Sequence, residues 1–119
     1  MTVVVIDDDL GVRRSLARLL RASGFEVETY ASADEFFDRP APDTGICLVL
    51  DIHLGRISGL ELADRLDELG RSVPIVFISA QDGALPAQRR SRSGTIAFLR
   101  KPFDESLLIE AVSRALAAK

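Results

Sequence analysis

Three consecutive aspartates, Asp7, Asp8 and Asp9, follow directly on the apolar run Val3-Val4-Val5-Ile6. A fourth, Asp51, closes a second apolar run that begins at Ile46, Ser79 closes a third, and Lys101 follows a fourth and precedes Pro102. Carboxylates, a hydroxyl and an ammonium gathered at one edge are the parts that phosphoryl transfer requires. Clustered carboxylates repel one another, which raises at least one pKa or destabilises the fold unless a cation compensates. Mg²⁺ suits them, because it takes a few carboxylate and carbonyl oxygens, keeps some waters and leaves positions for phosphate oxygens. A carboxylate is also a nucleophile able to form an aspartyl phosphate.

Each residue has an ordinary reading as well. Aspartate is favoured at helix N-caps, a role that suits Asp9, although three in a row exceed what capping needs. A lone Asp51 is usually a satisfied loop carboxylate, and Ser79 and Lys101 mean little singly. Phe98 follows Ile96 at period two, so core packing explains it as readily as function. His53 is the sole histidine, and without His or Cys partners its imidazole makes a poor transition-metal site. Arg89, Arg90 and Arg92 read as a solvated face.

The elements that position these groups follow from the apolar pattern. Val3 to Ile6, Phe25 to Tyr30, Ile46 to Leu50, Val73 to Ile78 and Thr95 to Leu99 read as five strands. The first, third and fourth are continuous apolar runs, as expected of strands covered on both faces. Val12, Leu16, Leu19 and Leu20 mark the stripe of a helix ended near Gly24. A short helix from Ser32 to Phe37 is predicted, with Ser32 as N-cap and Glu35 closing a capping box. Leu60, Ala63, Leu66 and Leu69 mark another helix before Gly70. Leu107, Leu108, Ala111, Val112, Ala115 and Leu116 mark the last. Ala84 to Ser93 is the weakest helix, with apolar residues only at its start, and it is expected to be short or frayed until a partner or modification orders it. Strands alternating with helices predict an α/β fold: a single doubly wound, five-stranded parallel sheet with helices on both faces. Ligands then lie outside the carboxyl ends of the strands, where the acids are.

The 119 residues suit one domain spanning 1–119. Hydrophobic residues at 47% and charged residues at 28% describe an ordinary globular chain. A net charge of −3 gives no support for direct nucleic-acid binding. Cys47 lies in an apolar run and reads as a buried, reduced thiol. No apolar run approaches the ~20 residues of a membrane span, and Met1 leads into a strand with no signal-peptide pattern. A cytoplasmic location, away from membranes, is expected.

Five pieces in order, Val5-Ile6-Asp7-Asp8-Asp9, Leu48-Val49-Leu50-Asp51, Gly59, Phe77-Ile78-Ser79-Ala80 and Phe98-Leu99-Arg100-Lys101-Pro102-Phe103, resemble the response-regulator receiver of two-component signalling. The chain is most similar to receivers of FixJ/LuxR-type regulators, and the resemblance covers essentially its whole length. It implies a flavodoxin-like fold and a switch, not an enzyme, that takes a phosphoryl group on Asp51 from a sensor histidine kinase or phosphotransfer protein. It implies Mg²⁺ held by Asp7, Asp8, Asp51 and the backbone carbonyl of His53. Ser79 and Lys101 would contact the phosphoryl group, Phe98 and Ser79 would form the switch, and Lys101-Pro102 would be a cis peptide. Transcription regulation, a phosphorylation-dependent homodimer or an attached effector domain are the implied outputs.

Three departures stand out: Gly55 replaces the usual proline after the phosphoacceptor, Ser79 replaces the commoner threonine, and the fourth helix is arginine-rich. Two rival functions remain. A haloacid-dehalogenase-type phosphatase would use Asp7 and Asp9, with Ser79, Lys101 and the late acidic pair Asp104-Glu105. A phosphorylation-independent binding module would leave the acids idle.

Overall fold

The computed structural model describes residues 2–39, 45–54, 56–79 and 94–117. The segment expected to form the arginine-rich helix, Ala84 to Ser93, lies outside them, as does Gly55. Five strands, β1 (Thr2–Ile6), β2 (Glu26–Tyr30), β3 (Ile46–Asp51), β4 (Ile75–Ser79) and β5 (Thr95–Arg100), form one sheet in the order β2-β1-β3-β4-β5. Every pairing is parallel. Among the described residues four helices accompany them: α1 (Leu10–Ala22), α2 (Ala33–Phe37), α3 (Gly59–Glu68) and α4 (Glu105–Ala117). This is the predicted doubly wound sheet.

The central strands are apolar throughout because helices cover both faces, and alternation sends successive side chains to opposite layers. Val4, Ile6, Leu48, Leu50 and Phe77 pack with Phe36 of α2 and Leu62 and Leu66 of α3. Val3, Val5, Cys47, Val49, Val76 and Ile78 pack with Leu16 and Leu20 of α1 and Leu108 and Val112 of α4. Cys47 is buried as expected, and burial pushes its thiol up to about 12. The edge strand β2 has no fully buried residue: Glu26 and Thr29 are exposed, and Val27, Glu28 and Tyr30 are half-buried.

Element ends show where local chemistry overrides hydrophobicity. Asp9 caps α1, its carboxylate accepting from the Val12 amide at 3.1 Å. Gly24 ends that helix at φ 96°, where only glycine is unstrained, and the Phe25 amide turns back to the Leu20 carbonyl at 3.1 Å. Phe25 is therefore part of the cap, and β2 starts one residue later than its apolar character suggests. Pro74 has no amide to give a ladder, so β4 begins at Ile75 and not at Val73. Ser32 caps α2 by accepting from the Glu35 amide at 3.2 Å. The expected capping box does not close there: Glu35 Oε1 accepts from the amide of Ala31 at 3.0 Å, one residue before the cap.

Candidate functional site

The strand order reverses between β1 and β3, and the acids stand at that point. Ile6 pairs with Leu50, so the next residues on the two strands, Asp7 and Asp51, emerge side by side. Asp7 is fully buried and Asp51 nearly so, whereas Asp8 is exposed. Carboxylate oxygens of Asp7, Asp8 and Asp51 all lie within 4.8 Å of one another. Lys101, beyond the end of β5, sets its ammonium 3.6 Å from Asp7 Oδ2 and 3.9 Å from Asp51 Oδ2. The Lys101-Pro102 peptide is cis, and the Lys101 amide donates to the Ser79 carbonyl at 2.8 Å.

Backbone amides orient the two buried acids. Asp9 donates to Asp7 Oδ1 and His53 donates to Asp51 Oδ1, both at 2.9 Å. Those bonds occupy one oxygen of each carboxylate and leave both Oδ2 atoms toward Lys101. Asp7 Oδ2 is buried and accepts no hydrogen bond among the described residues. Burial pushes the Asp7 carboxyl up to about 6; the Asp9 amide partly opposes this, and the neighbouring Asp51 charge adds to it. The main chain is fixed from outside as well. Arg13 of α1 donates from Nη1 to the Asp7 carbonyl at 2.8 Å.

Gly59 permits the close approach that seats Asp51. A Cβ there would run into the backbone carbonyl of Asp51, and the Gly59 amide donates to the Ile52 carbonyl at 2.7 Å. A capping box at Ser58 and Glu61 fixes the start of α3 beside it.

Of the residues expected to act together, Asp7, Asp8, Asp51 and Lys101 form one cluster, and Ser79 ends the neighbouring strand β4, buried. Phe98 is half-buried on β5, opposite Phe77, and packs on the α2–α3 side of the sheet. Alternation puts Ser79 on that same side. His53 brings its amide to Asp51 while the residue itself is exposed. Asp9 and Asp104 are engaged elsewhere: Asp9 caps α1, and Asp104 Oδ1 accepts from the Ser106 amide and hydroxyl at 3.0 and 2.9 Å, which lowers its pKa. Two groups that hold the site were not read from the sequence, Arg13 and the Ser58–Glu61 box. The box had a legible signal, a serine three residues before a glutamate ahead of an apolar stripe. Arg13 had none, since arginine on a solvated helix face is ordinary.

Residues 3–113 match the response regulator receiver domain. The chain belongs to the response-regulator receiver family. It is 40% identical over 116 residues to the transcriptional regulatory protein TdiR of Thauera aromatica, covering 98% of this chain and 51% of that protein. It is 36% identical over 116 residues to the transcriptional regulatory protein FixJ of Rhizobium meliloti, covering 96% of this chain and 56% of that one. The chain thus spans about half the length of these curated relatives. Among solved structures, the response regulator StyR superposes with a TM-score of 0.89 at 43% identity, covering 98% of this chain and 59% of that one. The structure of FixJ-N gives 0.84 at 32%, covering 99% of this chain and 94% of that one. The family is that of two-component response regulators, and receivers are its signalling domains. Among the described residues no helix is long and apolar enough to cross a membrane.

Proposed function

We propose that the whole chain, residues 1–119, is one receiver domain in which Asp51 accepts a phosphoryl group from a sensor histidine kinase or phosphotransfer protein. The observation that carries this reading is the junction of β1 and β3, where three carboxylates lie within 4.8 Å of one another beside the Lys101 ammonium. The buried Asp7 Oδ2 that accepts no hydrogen bond, together with the all-oxygen donor set, fits a hard divalent cation such as Mg²⁺. Asp7, Asp8, Asp51 and the His53 carbonyl would hold it. Once bound, the ion would neutralise charge on the transferring phosphoryl oxygens.

The His53 amide holds Asp51 Oδ1 and leaves Oδ2 as the attacking oxygen. Oδ2 forms the new P–O bond as the P–N bond of the donor phosphohistidine breaks, its electron pair staying on the imidazole. Lys101, already 3.9 Å from Oδ2, takes a phosphoryl oxygen, and the Ser79 hydroxyl takes another. A hydroxyl drawn toward the new dianion leaves space on the α2–α3 side of the sheet, into which Phe98 turns. Ser79 and Phe98 thus form the switch, and its readers are an effector domain, a second copy or another protein, acting in transcription regulation as the names of the relatives suggest.

The phosphatase reading loses support from Asp9, whose carboxylate is committed to the helix cap and is not free for acid–base work. The test is incubation with acetyl phosphate. One acid- and base-labile phosphoryl group that requires Mg²⁺ and vanishes in Asp51→Asn is the expected result. Steady turnover of p-nitrophenyl phosphate, or full labelling of Asp51→Asn, would reject the reading.

A further inference from the structure

Arg13 contacts the acid cluster through the main chain. Its guanidinium reaches back from the first turn of α1 and donates to the main-chain carbonyl of Asp7 at 2.8 Å. That carbonyl sits where β1 ends and the ladder no longer supplies partners. The amide of the same residue still pairs with the Tyr30 carbonyl at 3.2 Å, continuing the β1–β2 ladder by one step. Beyond it the chain must turn sharply into α1 while presenting two carboxylates to one point.

Four bonds impose that turn. Asp7 Oδ1 accepts from the Asp9 amide at 2.9 Å, and Asp9 Oδ1 accepts from the Val12 amide at 3.1 Å. The Arg13 amide donates to the Asp9 carbonyl at 2.9 Å, and the Arg13 side chain closes the loop on Asp7. The first three would form at many capped helices. The fourth links the helix directly to the peptide that carries the buried acid, through a charge-assisted bond from a planar fork that holds direction better than an ammonium.

We infer that Arg13 is a positioning residue: it fixes the Asp7-Asp8 peptide so that both carboxylates meet Asp51 at the spacing a divalent cation requires. This rests on the metal reading proposed above. Three sources of an Arg13 effect separate by sign. A guanidinium near a cation site repels the cation, so charge alone predicts that neutralising Arg13 tightens Mg²⁺ binding. A purely structural role predicts a lower melting temperature with unchanged Mg²⁺ affinity. Positioning predicts weaker Mg²⁺ binding in spite of the lost repulsion.

The experiment is a Mg²⁺ titration followed by the amide resonances of Asp9 and His53, whose N–H groups bond the Asp7 and Asp51 carboxylates. It compares the unaltered chain with Arg13→Met and Arg13→Lys, each held well below its melting temperature. Arg13→Met is expected to weaken Mg²⁺ binding by about tenfold, with acetyl-phosphate labelling returning to within about twofold at saturating Mg²⁺. Arg13→Lys, which keeps the charge and N–H donors but not the planar fork, is expected to fall between, and it serves if the methionine variant does not fold. Binding in Arg13→Met as tight as in the unaltered chain, or tighter, would overturn the inference while leaving the metal reading intact. No response of the unaltered chain to Mg²⁺ would overturn both.

Discussion

Asp7 is the residue on which the chemistry imposes the highest cost. Its carboxylate is fully buried, Oδ2 accepts no hydrogen bond among the described residues, and burial pushes its pKa from 3.8 up to about 6. The folded chain therefore holds this proton more tightly than the unfolded chain does. The group costs nothing below pH 3.8, the penalty grows as pH rises toward about 6, and it is complete above that. Asp7→Asn should accordingly stabilise the metal-free protein by about 1–3 kcal/mol near neutral pH and by almost nothing near pH ~4. Denaturant titration in chelator at the two pH values checks this. Mg²⁺ should then stabilise the unaltered chain and leave the variant unmoved. The residue types at this site were legible from sequence because strand-end acids are costly to keep without a purpose. Which oxygen is engaged, and by which amide, was not legible, because it depends on a turn closed by bonds from Asp9 and His53. Gly59 illustrates the same limit. Its place in the motif was visible, but its reason, a Cβ that would strike the Asp51 carbonyl, exists only in three dimensions. Gly59→Ala should cost about 1–3 kcal/mol, since the obstacle is backbone and cannot swing away. It should also slow labelling of Asp51 by displacing its peptide, as a melting curve and a labelling time course would show.

At the scale of elements, strand and helix existence followed from hydrophobic period, and element ends followed from local chemistry that period does not report. Phe25 and Val73 are apolar yet lie outside their strands, one taken by the α1 cap and the other cut off by Pro74. One tie between elements left no sequence signal at all. Arg39, just after α2, is buried and donates from Nε and Nη2 to Glu28 Oε1 on β2 at 3.1 and 2.9 Å. The Tyr30 hydroxyl donates to the same oxygen at 2.9 Å. One carboxylate oxygen thus serves three donors and binds the edge strand to the α2 layer. Glu28 is the more exposed partner, so removing Arg39 lets the carboxylate rehydrate, whereas removing Glu28 takes two hydrogen bonds from a buried guanidinium. Glu28→Ala should therefore cost about 1–3 kcal/mol and exceed the cost of Arg39→Met. Paired denaturation curves decide it, and equal or reversed losses would show that the tie is not held in this way.

For the whole molecule, the strand order β2-β1-β3-β4-β5 gathers the candidate site in one place. Four sequence segments far apart along the chain end at one edge, and two apolar layers on opposite faces of the sheet hold that edge rigid. The sheet was legible because its central strands are apolar on both faces, and the site was legible because the sheet's topology dictates where strand ends meet. The central claim is that the acid on β3 is the nucleophile, with the acids after β1 serving the cation. Borohydride reduction after reaction with acetyl phosphate and Mg²⁺ tests it most directly, because it converts an aspartyl phosphate to homoserine at the acceptor position. Peptide mass spectrometry should find homoserine at position 51 and at no other aspartate. Homoserine at position 7, 8 or 9 instead would contradict the account.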